Sequence, residues 1–103
     1  MANTATNEVL IIFKEDQNLE QRKQVINYME EHLICDEIYN DVKDEDLEDN
    51  FLNISYGTKW SERIEILQEV CNIFDVHIVG VCYEWGCLYV NAFELYKETK
   101  EDE

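Results

Sequence analysis

The pattern of apolar residues predicts an α+β sandwich, a mainly antiparallel sheet with two helices on one face. Three observations carry this. Two segments repeat apolar residues at helical spacing, and the others run or alternate at strand length. Leu, Ile, Val and Phe make up 30 of the 103 residues, about 29% and above the roughly 20% below which a charged chain stays disordered. The length suits one domain with one core, spanning 1–103.

Residues 1–7 are small and polar and read as a frayed start. Glu8–Lys14 is an apolar, β-branched run, the signature of a central strand with both faces covered. Asn18 with Gln21 three residues on forms a capping box. Leu19, Arg22, Val25, Ile26, Met29 and Leu33 then place a helix over 19–33, with Arg22 laying its stem on the core and its head in water. Ile34–Tyr39 reads as a short edge strand, and 41–49, with six acids and one lysine, as a loop or marginal helix. In Phe51–Tyr56, Leu52, Ile54 and Tyr56 alternate with Phe51, Asn53 and Ser55, and Gly57 punctuates the strand's end.

Ser61 is placed to cap a second helix with an Ile64, Leu67, Cys71, Phe74 stripe, widened by Val70 and Ile73. Val76–Tyr83 is a β-branched strand, Glu84-Trp85-Gly86 a turn, and Cys87–Tyr96 a last strand. Lys97–Glu103 is a polar, acidic tail that reads as frayed, like the start. The order β-α-(β)-β-α-β-β is that of a ferredoxin-like sandwich with an added C-terminal hairpin strand.

Charge narrows the function. With 24 acidic against 8 basic residues the net charge is -16. A chain that neutralises phosphates needs a basic patch, so direct nucleic-acid binding is excluded, as is attachment to an anionic membrane. The longest apolar run, Val9–Phe13, neither spans a bilayer nor follows a charged leader, which points to the cytosol of a host cell. There Cys35, Cys71, Cys82 and Cys87 are expected to be reduced and metal-free: Cys82-x4-Cys87 lacks the paired spacing of a zinc site.

His77 sits in a strand without a nucleophile elbow, phosphate loop or HExxH beside it. Three glycines leave little to build a phosphate cradle from. Asp44-x-Asp46-x-Glu48 lacks the glycine and bidentate glutamate of a calcium loop. No catalytic residue, cofactor or metal is therefore expected.

Tyr56-Gly-Thr58-Lys-Trp60-Ser61, followed by Tyr83-Glu84-Trp85-Gly86, resembles the C-terminal ferredoxin-like domain of YubB-like proteins of plasmids and phages. Thr58, Trp60, Ser61, Tyr83, Glu84 and Gly86 match that pattern, while its prolines are missing and Lys59 replaces a small residue. The resemblance spans residues 51–93 and implies the fold and a mobile-element setting, with no catalytic residues. In physical terms Trp60 and Trp85 are packing anchors, Trp60 buried near the start of the second helix, and Gly86 supplies a turn conformation.

The acids remain as the feature to explain. Asp36, Glu37, Asp41, Asp44, Glu45, Asp46, Glu48 and Asp49 surround a single Lys43, with Tyr83 and Trp85 as aromatic candidates on the hairpin. Such density mimics the charge of DNA and suits a groove evolved for nucleic acid. The expectation is a small inhibitor of a basic nucleic-acid-handling protein, concretely a phage anti-CRISPR or antirestriction protein occluding a CRISPR effector or nuclease. An immunity protein or antitoxin against a toxin nuclease is the neighbouring alternative. A ferredoxin-like enzyme or small-ligand protein using His77, Tyr83, Glu84 and Trp85 is the alternative of another class, and a merely solubilising acidic surface is the plain one.

Overall fold

The computed structural model describes residues 4–32, 35–38, 42–59, 64–84, 86 and 89–98. Its elements are β1 (Thr4–Ile12), α1 (Leu19–His32), β2 (Cys35–Ile38), a 3-10 helix (Asp44–Glu48), β3 (Phe51–Lys59), α2 (Ile64–Phe74), β4 (His77–Glu84) and β5 (Tyr89–Leu95). The strands form one sheet in the order β2-β3-β1-β4-β5, with every neighbouring pair antiparallel. Four of them in the order 2-3-1-4, with two helices, make the ferredoxin-like α+β fold, and β5 extends it through a hairpin.

The strand pleat sorts side chains cleanly. Val9 and Ile11 of β1, Leu52, Ile54 and Tyr56 of β3 and Ile78 of β4 share one buried face. Val25, Ile26 and Met29 of α1 and Leu67, Val70 and Cys71 of α2 pack onto that same cluster. Both helices therefore lie on one side. The shortest dimension, 20 Å, is the depth of one sheet and one helix layer.

Local chemistry accounts for the boundaries. The Asn18 side chain accepts from Gln21 N–H and the Gln21 side chain accepts from Asn18 N–H, both at 2.8 Å, closing the expected capping box. Beside that cap, where Gln17 Nε2 donates to Phe74 O at 2.6 Å, Asp75 takes a left-handed conformation, φ 57°, and its N–H donates to Cys71 O at 2.9 Å. This ends α2 in the way a glycine commonly does. Lys14 holds the Asp75 carboxylate, and that hydrogen bond keeps its pKa below the usual range.

Several expectations are corrected. Residues 4–7 are not frayed: Thr4 to Asn7 pair with Lys59 to Tyr56. Nor is the tail loose through Glu98, whose N–H donates to Asn72 Oδ1 at 2.9 Å, while Gln68 donates to Tyr96 O. Gly57 does not end β3; it sits buried in mid-strand opposite Thr6. Gly86 needs no left-handed backbone, since no described glycine has positive φ. Ile73 and Leu19 leave their stripes for solvent, at the C-terminal end of α2 and the N-terminal end of α1. Finally, β1 is central, but only one of its faces is covered by helices. Trp60, Ser61, Trp85, Cys87 and Asp41 lie outside the described residues.

Cys71 and Cys82 are wholly buried and not disulfide-bonded, while the side chains of Cys35 and Cys87 lie outside the described residues. Burial pushes the Cys71 thiol up to about 11, only partly offset by a hydrogen bond with the Ile78 backbone. The thiol is therefore neutral at physiological pH and poorly nucleophilic. Cys71 should resist iodoacetamide in the native state at pH 8 and react once urea unfolds the chain, as followed by peptide mass spectrometry. Because its folded pKa is raised, the stability that this thiol contributes is full below about pH 9 and lost as pH rises toward 11. Alkylation at the native rate of an exposed thiol would contradict its place in the core.

Candidate functional site

The acidic segment is not a floppy loop. Asp44–Glu48 is a 3-10 helix, opened by Lys43 N–H donating to the Asp46 carboxylate at 2.9 Å and Asp46 N–H donating to Lys43 O. Its one apolar residue, Leu47, is 3% exposed and belongs to the core cluster beside α1. With Leu47 facing in, Asp44, Glu45, Asp46, Glu48 and the following Asp49 are exposed. Three residues per turn stack Glu45 over Glu48 in one column, about 6 Å apart along the axis.

Arg22 fixes the backbone of this turn. Sequence reasoning expected its head in water; the residue is 5% exposed instead. Nη1 donates to Leu47 O (2.8 Å) and Asp49 O (3.0 Å), and Nη2 to Lys14 O (2.9 Å) and Asn50 Oδ1 (3.0 Å). Nε donates to Gln17 O at 2.9 Å, and the guanidinium lies 5.0 Å from the Phe13 ring centroid. All five N–H donors of the fork find acceptors. The cation thus ties the β1–α1 loop, the 3-10 helix and the start of β3 together using carbonyls and an amide, with no carboxylate consumed. The acids of the turn stay on the surface; among the described residues only Asp44 of them meets a lysine, Lys23, at 3.4 Å.

The other candidates fall elsewhere. Asp36 and Glu37 lie on edge strand β2, their side chains outside the described set. Tyr83 sits near the end of β4 on the face opposite the helices, donating to Glu8 Oε2 at 2.7 Å. Phe51, which follows the acidic turn, is six positions away in the register of β1, where Ile12 pairs with Phe51 and Thr6 with Tyr83. The acids of 44–49 and Tyr83 are therefore separated by about 20 Å along the sheet, whereas β2, with Asp36 and Glu37, lies at Tyr83's level but three strands away. They do not make one site.

Nor do the described residues of the enzyme alternative, His77, Tyr83 and Glu84, converge. His77 begins β4 and Glu84 ends it, again about 20 Å apart. His77 Nε2 is 2.9 Å from Glu94 Oε2 and its ring stacks on Tyr96. A shallow cleft of about 250 Å³ beside it is lined by Lys14, Asp75 and Tyr96 among others and holds no cysteine or serine nucleophile. Among the described residues no group of three or more His, Cys, Asp or Glu is placed to hold a metal, and no helix is long and apolar enough to cross a membrane.

Residues 38–100, from the end of β2 through the hairpin, match the family model of the ferredoxin-like domain in Api92-like protein. The chain belongs to this family. The Api92-like match extends beyond the motif-bearing residues 51–93 and takes in the acidic 3-10 helix, whereas β1 and α1, which complete the sheet and supply Arg22, precede it. No curated protein and no solved structure matches the chain.

Proposed function

We propose that this Api92-like domain is an acidic inhibitor that binds a basic, nucleic-acid-handling protein and occludes the surface its nucleic acid would occupy. The setting we propose is a plasmid or phage, as for the YubB-like proteins its motifs resemble, acting in the host cytosol. A CRISPR effector or restriction nuclease is the concrete partner. One observation carries the reading: the carboxylates of 44–49 stand on a backbone pinned by Arg22 and Leu47. A solubilising loop has no need of such anchoring, while a binding surface gains from it because less entropy is lost on association. Dense charge on a fixed scaffold also steers encounter with a cationic groove.

Changing Asp44, Glu45, Asp46 and Glu48 together to their amides tests this. Each exposed pair is worth only about 0–1 kcal/mol, so single changes should do little. The quadruple variant should retain the fold and release the basic nuclease that wild type captures from bacterial lysate at moderate salt. Wild-type association, followed by surface plasmon resonance with the captured nuclease, should slow as salt rises and the Debye length shrinks from about 10 Å toward 3 Å. Equal capture by both proteins would return the segment to a solubilising role.

A further inference from the structure

The sheet face opposite the helices is the largest feature that the acidic turn leaves unused. Its residues follow from the register: Glu8 lies between Ser55 and Val81, Leu10 between Asn53 and Val79, and Ala92 continues beyond Val81. Solvated faces of antiparallel sheets ordinarily alternate to polar residues. Here the outward positions of β1 and β4 include Leu10, Ile12, Val79 and Val81, and Val90 on β5 is 57% exposed. The strands read as if covered on both sides, yet among the described residues both helices lie on the other.

A carboxylate selects the occupant. Glu8 stands exposed in the middle strand of this face, held by the Tyr83 hydroxyl at 2.7 Å, while the face's other carboxylate, Glu94 opposite Val79, already has His77 beside it at 2.9 Å. Burying it without a counter-charge is costly. A second copy of the chain would bring another Glu8 and another -16 charges. A cationic side chain supplies what is missing and can lay its aliphatic stem on Leu10 and Val81. The face also meets the acidic turn at its β3 corner, where Asp49 is followed by Asn50 and exposed Phe51.

We infer that the open sheet face is the apolar part of the docking surface for a cationic protein partner, with Glu8 receiving a partner Lys or Arg at its centre. This rests on the inhibitor reading and adds to it where the partner's apolar contacts fall.

The probe is an amphipathic Leu–Lys helical peptide, with oligolysine of equal charge as control, titrated into the whole chain by isothermal calorimetry and amide NMR. The amphipathic peptide should bind at least about tenfold more tightly than oligolysine and shift Leu10, Val79, Val81 and Ala92. Glu8→Gln, which leaves Tyr83 an acceptor, should weaken it about tenfold or more, and Val79→Ser, at an exposed position, should weaken it while Tm stays constant. Shifts confined to 44–49 with an indifferent Glu8→Gln would overturn this inference and leave the inhibitor reading standing. Failure of both peptides to bind would count against that reading itself. A concentration-dependent dimer in sedimentation, abolished by Val79→Ser, would assign the face to a second copy and overturn the proposal.

Discussion

Arg22→Ala should remove a large share of the domain's stability. The substitution strands carbonyls of Lys14, Gln17, Leu47 and Asp49 that the guanidinium now satisfies. Each bond to a charged donor is worth about 1.5–3 kcal/mol, though not additively. Loss of about 3–5 kcal/mol is the expected outcome, against a total of about 5–15 for a domain. Urea unfolding followed by far-UV circular dichroism measures it. Arg22→Lys keeps the charge but not the five-donor fork and should recover only part of the loss. An Arg22→Ala midpoint within experimental error of wild type would mean that the acidic turn is held by something else, and the case for a preorganised surface would fail with it.

Gly80→Val should be nearly as damaging, for the opposite reason. Gly80 faces the helices from β4, between Val9 on one side and Phe93 on the other. A Cβ there would lie 2.7 Å from Val9 Cγ1 and 2.8 Å from Phe93 Cζ, closer than real side chains approach. Phe93 folds over the glycine and fills the space that a side chain would take. A bulky residue must push Phe93 out or distort the central pairing of β1 with β4, costing about 3 kcal/mol. Gly80→Ala combined with Phe93→Leu should be less destabilised than the sum of its parts, because the smaller side chain vacates the contested volume. Strict additivity in that double-mutant cycle would place Phe93 elsewhere.

Much of this architecture is legible in the sequence because it rests on short-range rules. The Asn18–Gln21 box, the alternation of Leu52, Ile54 and Tyr56, and the helical stripe of Val25, Ile26 and Met29 each declare themselves within a few residues. What escaped depends on distant partners. Thr4–Asn7 looks like a polar tail until β3 and β4 supply its ladder. Gly57 punctuates a pattern locally, yet pairing with Thr6 carries the strand through it. Arg22 sits on the apolar side of α1, a position that signals burial, but the acceptors that make burial tolerable come from the loop after β1 and from 47–50. Of the site, the sequence marks where the charge is. It is silent on the anchoring that makes the charge a surface, and on the placing of Glu8 between outward-facing Leu10 and Val81.

The central place of β1 has a consequence for synthesis. It leaves the ribosome before either neighbour, and its partners are strands that begin at Phe51 and His77. At about 5–20 residues per second the run Val9–Phe13 waits several seconds with no edge to join. An uncharged β-branched stretch without proline is the kind of segment that pairs with its like in other nascent chains. Glu8 stands at one end of it and Lys14, Glu15 and Asp16 at the other. Helix α1 and the acidic turn, which follow while the run is still waiting, add negative charge to every such chain. Mutual repulsion of unfinished copies is therefore built into the order of the elements, and it acts before there is a folded surface for any partner to meet.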